Sequence, residues 1–189
     1  MAKKKKRSSK NNSLSNKTTH REVLEEIIRV DHAGEYGAQR IYSGQIKFSK
    51  DKKLKDKLRK IVEEEYEHYD YFNNAMLEKR TRPTLMSPLW HYGGYAVGAI
   101  TSLMGEKYVH ACTEAVEEVI VEHYEEQIQF LEKNGVEKKL MNKIKKFKAD
   151  EDAHRSYAEG SNVNKTGIRA FKNVTKSITR LVIKISEKI

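Results

Sequence analysis

The chain carries 189 residues, 37 of them Lys or Arg and 27 Asp or Glu, for a formal net charge of +10, with two prolines, ten glycines and one cysteine. That length supports one domain with its own core, and so few turn-forming residues exclude a strand-rich fold. The single thiol, Cys112, excludes a disulfide framework, a zinc ribbon and a rubredoxin-type iron site, and reads as core packing.

Residues 1–20 hold Lys3, Lys4, Lys5, Lys6, Arg7, Lys10 and Lys17 and no acid. They read as a disordered basic tail ahead of one domain over 21–189. No apolar run follows the positive region, so no secretory signal is expected. Residues 165–189 carry seven basic side chains against Glu187 alone, which leaves the middle of the chain slightly acidic. Positive charge confined to the ends reads as solvated charge, and nucleic acid is not expected as a partner.

Thr18 or Thr19 is expected to open a first helix reaching about Phe48, with Leu24, Ile28, Glu35, Ala38 and Tyr42 on one face. A second helix, 51–79, presents Leu54, Leu58, Ile61, Glu65, His68, Phe72 and Met76, and Arg82-Pro83 ends or kinks it. Residues 85–104 contain no charged side chain but hold Pro88, Gly93, Gly94 and Gly98. Twenty residues only just match a bilayer, and these breakers favour an element lying at a membrane interface over a simple span. A third long helix reaches about Glu132 with Glu117, Val121, Tyr124, Ile128 and Leu131 inward, and Asn134-Gly135 turns the chain. A fourth helix, 136–159, presents Leu140, Ile144, Phe147, Glu151, His154 and Ala158. After a loop at 160–167, a last helix over 168–188 sets Phe171, Val174, Ile178, Leu181, Val182, Ile185 and Ile189 opposite Arg169, Lys172, Lys176, Arg180, Lys184 and Lys188. The basic stripe is a candidate for contact with anionic lipid.

Four carboxylates thus fall on apolar faces, where a charge is costly unless paired or bound to metal. Periodicity selects them: steps of four, seven and eleven from Glu117 reach Val121, Tyr124 and Ile128, whereas the same steps from Glu118 reach Glu122, Glu125 and Gln129. Glu65-Tyr-Glu-His68 and Glu151-Asp-Ala-His154 are both Glu-x-x-His, which places a carboxylate and an imidazole side by side on a helix. Each is preceded by a lone inward Glu, Glu35 or Glu117, thirty or so residues earlier. One single Glu and one Glu-x-x-His per helical hairpin is the ligand pattern of di-iron and di-manganese carboxylate bundles. Four carboxylates balance two divalent ions, and oxygen and imidazole ligands suit iron or manganese. The metal set is therefore Glu35, Glu65, His68, Glu117, Glu151 and His154, in an all-α, ferritin-like four-helix bundle with an added interfacial segment and a C-terminal amphipathic helix.

Around these residues the chain resembles the demethoxyubiquinone hydroxylases, di-iron monooxygenases of ubiquinone biosynthesis. The resemblance spans about 22–189 and rests on IIRVDHAGEYGAQRIYSGQ, EEEYEHYDYF, RPTLMSPLWHYGGYAVGAITSLMGEK, ACTEAVEEVIVEHYEEQI and DEDAH. The RPT…PLW segment is its specific part, since ferritins and rubrerythrins do not share it. The resemblance implies two iron ions, O2 and NADH as co-substrates, and a prenylated quinol ring as the group hydroxylated. It points to His123 and Tyr124 as carriers of electrons or protons, packing and hydrogen bonding being their plainer roles. It also implies a peripheral protein on the cytoplasmic side of the cell's inner membrane, or on the matrix side of the mitochondrial inner membrane. Other ubiquinone-biosynthesis proteins and a second copy of the chain are its expected partners. The ligands alone also fit a ferritin-like ferroxidase or iron store, and the basic ends also fit a non-enzymatic, membrane-binding helical adaptor.

Overall fold

The computed structural model describes residues 8–161 and 166–188. Among them the chain forms helices and no strand: α1 (Ser8–Phe48), α2 (Lys52–Lys79), a π-helical turn (Leu89–Gly93), α3 (Gly94–Met104), α4 (Glu106–Asn134), α5 (Lys138–Gly160) and α6 (Thr166–Ser186). Short connections make α1–α2 and α4–α5 two helical hairpins, which pack together as the four-helix bundle; α3 lies along α1 and α6 along α4.

Local chemistry sets the ends of these helices. Asp51 caps α2 by accepting from the Leu54 amide at 2.7 Å. Arg80, in the left-handed region at φ 55°, closes it, with Thr81 N–H reaching back to the Met76 carbonyl at 2.9 Å. The helix therefore stops before Arg82-Pro83 rather than at it. Gly135, at φ 62°, closes α4 where the Asn134-Gly135 turn is expected. At the other end, α1 begins at Ser8, well ahead of Thr18, because neither Gly nor Pro interrupts the sequence from Ser8 to Ala33. Of the expected disordered tail, residues 8–20 thus continue as helix and residues 1–7 lie outside the described residues, as do 162–165 of the expected loop and Ile189.

The inner faces of α2 and α5 bury the residues that periodicity selects, and no others. On α4 the stripe is wider. Val109 to Glu117 are all buried and Val121 is only half-buried, because α4 is covered by α3, α5 and α6 together. The two larger apolar clusters contain Ile28, Phe72, Tyr124, Ile144 and Phe147 in one and Ala38, Tyr42, Leu58, Ile61 and Val109 in the other, and a small third joins Val30, Val119 and Ile183. Cys112 sits in this interior, fully buried, and burial with the nearby Glu117 pushes its thiol up to about 12, so it is inert packing.

The glycines of the uncharged segment and of α1 permit close helix contact. A Cβ on Gly98 would lie 1.9 Å from the Ile41 carbonyl oxygen, and one on Gly44 would lie 2.3 Å from that of Tyr95. No helix among the described residues is long and apolar enough to cross a membrane. Instead α3 presents Val97, Ile100, Leu103 and Met104 to the exterior.

The last helix is turned the other way from the simplest expectation. Its lysine and arginine stripe faces α4, pairing Lys172 with Glu114, Lys176 with Glu118 and Arg180 with Glu122 in four-residue steps. Half of its apolar stripe faces out, Val174, Ile178 and Leu181 being 55–58% exposed, while Phe171, Val182 and Ile185 are half-buried. Acids at every fourth position of α4 make that orientation electrostatically favourable, and they remove half of the basic stripe from the surface available to lipid.

Candidate metal centre

Glu35 on α1, Glu65 and His68 on α2, Glu117 on α4, and Glu151 and His154 on α5 come together between the two larger apolar clusters, all buried. Two groups can each hold an ion. Glu35, Glu65, His68 and Glu151 offer donor atoms within 4.8 Å of one another, and so do Glu65, Glu117, Glu151 and His154. Glu65 and Glu151 belong to both groups, so the carboxylate of each Glu-x-x-His lies between the two positions rather than serving its own histidine alone.

The imidazoles turn Nδ1 inward. His68 Nδ1 is 2.9 Å from Glu151 Oε1 and 3.6 Å from Glu35 Oε2; His154 Nδ1 is 3.1 Å from Glu151 Oε2 and 3.5 Å from Glu65 Oε1. Each Nε2 points away, to a carboxylate on the opposite hairpin: His68 to Asp150 Oδ2 at 3.2 Å, and His154 to Glu64 Oε2 at 2.6 Å. A carboxylate on the outer nitrogen fixes the tautomer and ring orientation of an imidazole that ligates metal.

The electrostatics are those of crowded charge. Burial, then the charges of Glu151, Glu35 and Glu117, holds the Glu65 carboxyl well above the usual range. Burial and Glu151 do the same to Glu117, against the opposing pull of His154 and Tyr42. Burial alone would lower His68, but hydrogen bonds to Glu151 and Glu35 outweigh it and carry the imidazole up to about 11; His154 rises to about 9 in the same way. Burial likewise works against Glu151, yet hydrogen bonds from both histidines bring it down to about 2. Both oxygens of Glu65, 1% exposed, have no hydrogen-bond partner, and buried polar atoms without partners are rare. Two cations between Glu65 and Glu151 would satisfy those oxygens, so the donor set fits a metal pair.

The pattern repeats in a further layer. Tyr42 lies seven residues after Glu35 and donates its phenol to Glu117; Tyr124 lies seven after Glu117 and donates to Glu35. The same relation holds for the acid before each Glu-x-x-His, Glu64 or Asp150, which holds the other motif's histidine. Tyr124 was expected at the site. Tyr42, Glu64 and Asp150 were not, although equal spacing in the two hairpins was the signal for them. His123 lies apart from the six. Its Nε2 is 3.9 Å from Asp31 Oδ1, and burial lowers it to about 4. Asp31 itself is buried, accepts from Gln127 at 2.7 Å, and is held well above the carboxylate range by burial, against that hydrogen bond.

Beside the centre an apolar groove of about 370 Å³ runs between the π-turn and α3 on one side and α6 on the other. Leu89, Trp90, Val97 and Ile178 line it, and its floor is Ile41 and Val116, the sequence neighbours of Tyr42 and Glu117.

Fold and site together define a helical-bundle protein built around paired Glu-x-x-His motifs, the architecture of dinuclear carboxylate enzymes. The family profile of ubiquinone biosynthesis protein COQ7 matches residues 22–186, and the chain belongs to that family. It is 38% identical over 172 residues to the human protein named NADPH-dependent 3-demethoxyubiquinone 3-hydroxylase, mitochondrial, covering 89% of this chain and 79% of the human one. The Dictyostelium discoideum protein of the same name is 44% identical over 135 residues, 71% of this chain and 62% of its own length. A Rhodospirillum rubrum protein named 3-demethoxyubiquinol 3-hydroxylase is 36% identical over 170 residues, 88% of this chain and 79% of its own.

Proposed function

We propose that the chain is a di-iron monooxygenase that hydroxylates the ring of a demethoxyubiquinol in ubiquinone biosynthesis. In balance, a ring C–H and O2, with a hydride's two electrons and one proton from a reduced nicotinamide and a second proton from solvent, give a ring C–OH, water and the oxidised nicotinamide. The observation that carries the reading is Glu65, a fully buried carboxylate neither of whose oxygens accepts a hydrogen bond, within reach of the donor atoms of both metal groups. Glu35, Glu65 and His68, with Glu151, would hold one iron, and Glu117 and His154, with the same Glu65 and Glu151, the other. The ions supply O2 activation when bound. The protein does the rest. Asp150 and Glu64 fix the imidazoles, Tyr124 and Tyr42 hold Glu35 and Glu117 by their phenols, and the apolar clusters exclude water from the reacting ring.

The groove gives the substrate's isoprenoid tail a place. Its walls continue the exposed apolar residues of α3 and α6, so a protein seated on a membrane by this face would receive the quinol without leaving the bilayer. The reading is of a peripheral protein, on the inner face of a cell membrane or the matrix side of a mitochondrial one, with a second copy or other ubiquinone-biosynthesis proteins as its neighbours; the exposed apolar face supports the peripheral part of it. The sequence reading takes NADH as donor, whereas the human relative's name specifies NADPH. The test is incubation of iron-loaded protein with a demethoxyubiquinone analogue and each nicotinamide in turn, followed by mass analysis. A product one oxygen heavier is expected. None with either donor, at full iron occupancy, overturns the proposal.

A further inference from the structure

We propose that the end of the molecule where α1 meets α2 engages anionic phospholipid headgroups while the adjoining α3–α6 groove faces hydrocarbon. This rests on the membrane docking proposed above and adds the lipid class and the residues that select it.

Six helix ends converge there. Ser102 near the end of α3 bonds the Gln45 carbonyl of α1 at 3.1 Å, Phe48 packs edge-on to Tyr95, and Tyr108 at the start of α4 packs edge-on to Phe171 at the start of α6. Phe48, Leu103 and Met104 form the exposed apolar rim of this end. Around them stand Lys47, Lys50, Lys52, Lys53, Lys107 and Arg169, all exposed, and among the described residues none of the six makes an ion pair. The neighbouring acids are engaged within the protein: Asp51 caps α2, and Glu106 faces His110 at 3.4 Å. The opposite end of α6 differs, since Glu187 there lies near Glu26 and Glu126 as well as Lys184 and Lys188.

The unpaired positive charge at this end is therefore continuous with an apolar face, and it is this continuity that sets it apart from the exposed Arg80, Lys133, Lys138 and Lys139 around the α4–α5 turn, likewise unpaired among the described residues. A nucleic acid would use the charge but leave the apolar rim wet. A bilayer bearing anionic headgroups matches both, at about fivefold in partitioning for each lysine near its surface. The α6 lysines cannot serve in the same way, because Lys172, Lys176 and Arg180 are committed to α4.

Flotation of the full-length protein with vesicles of phosphatidylcholine, alone or mixed with phosphatidylglycerol, tests this. Tighter binding to the mixed vesicles is expected, and the triple variant Lys50→Gln, Lys53→Gln, Lys107→Gln should lose about fivefold per lysine there with phosphatidylcholine binding unchanged. The lysine-rich residues 1–20 are present in both proteins, so the difference belongs to the collar. Leu103→Asp should weaken binding to both vesicle types. Equal binding of parent and triple variant to mixed vesicles overturns the collar but leaves the membrane reading standing. Binding to neither vesicle overturns both, and a dimer in gel filtration that Leu103→Asp dissociates would then assign the face to a second copy.

Discussion

Glu64 and Asp150 lie outside the six expected ligands, yet each grips the outer nitrogen of the histidine on the opposite hairpin. Replacing either with alanine should leave the fold intact and weaken one metal position. Both side chains reach solvent, Glu64 being 56% and Asp150 32% exposed, so the loss of a surface carboxylate itself costs little stability. Carboxylates behind a ligating histidine typically contribute 10- to 100-fold in metal affinity, or about 1.4 to 2.7 kcal/mol. Water can replace part of what Glu64 does, which puts Glu64→Ala toward about tenfold despite its short 2.6 Å contact. Asp150 is more sheltered but its 3.2 Å contact is longer, so a similar figure follows. Titration with Fe(II) or Co(II) under anaerobic conditions, monitored by ligand-field absorption, should show one of two equivalents weakened in each single variant and both in the double. Glu64→Gln, which keeps a carbonyl oxygen near Nε2, should recover most of the affinity. Unchanged affinity in both alanine variants, or equal weakening of both equivalents by one of them, would refute the cross-bracing argument.

Glu35→Ala should stay helical by circular dichroism while losing hydroxylase activity; full activity would remove Glu35 from the centre. Loading two metal equivalents should raise the melting temperature, since a ligand at one hundred times its dissociation constant stabilises the folded state by about 2.7 kcal/mol per site, and a chelator should reverse it. Gly98→Ala places a methyl 1.9 Å from the Ile41 carbonyl oxygen, so urea melts should show a loss of about 1–3 kcal/mol. His123 is lowered to about 4 by burial. A histidine whose folded value lies below its unfolded 6.5 binds more protons when unfolded, so its contribution to stability is lost as pH falls from about 6.5 toward 4 and amounts to about 3 kcal/mol at most. His123→Gln should flatten that part of the stability–pH curve, and an unchanged slope would show the imidazole charges without cost.

The four bundle helices and the six inward Glu and His residues were legible because helical periodicity of 3.6 residues and burial report the same face. Leu54 through Met76 and Leu140 through Ala158 match residue for residue. On α4 the rule failed at Val121, since a helix covered by three neighbours has no single inner stripe. The outer layer at the centre was encoded but unread. Tyr42 was placed inward as packing, and only the geometry shows that its phenol belongs to Glu117 as Tyr124's does to Glu35. Contacts between hairpins have no sequence separation to betray them; what could have found Tyr42, Glu64 and Asp150 was the demand that a repeated site repeat its supports.

The last helix shows why amphipathicity alone does not orient an element. Its two stripes were plain, and the usual inference turns the apolar one inward. Full burial of a Val, Ile or Leu is worth about 1.5–3 kcal/mol, so leaving Val174, Ile178 and Leu181 more than half exposed forgoes several kcal/mol in water. The ion pairs with Glu114, Glu118 and Glu122 do not repay that: the exposed Arg180–Glu122 pair contributes about 1 kcal/mol or less, and in the largely buried Lys172–Glu114 pair desolvation offsets the attraction. The orientation is favourable only if the apolar stripe meets something other than water, and the exposed residues of α3 across the groove carry the same implication. A water-filled setting and this placement of α6 are therefore at odds, whereas a hydrocarbon surface removes the conflict. Detergent or vesicle addition should accordingly stabilise the parent protein, and Ile178→Asp should cancel that gain while leaving the protein's stability in plain buffer nearly unchanged; a large loss in buffer would show the stripe already buried in water.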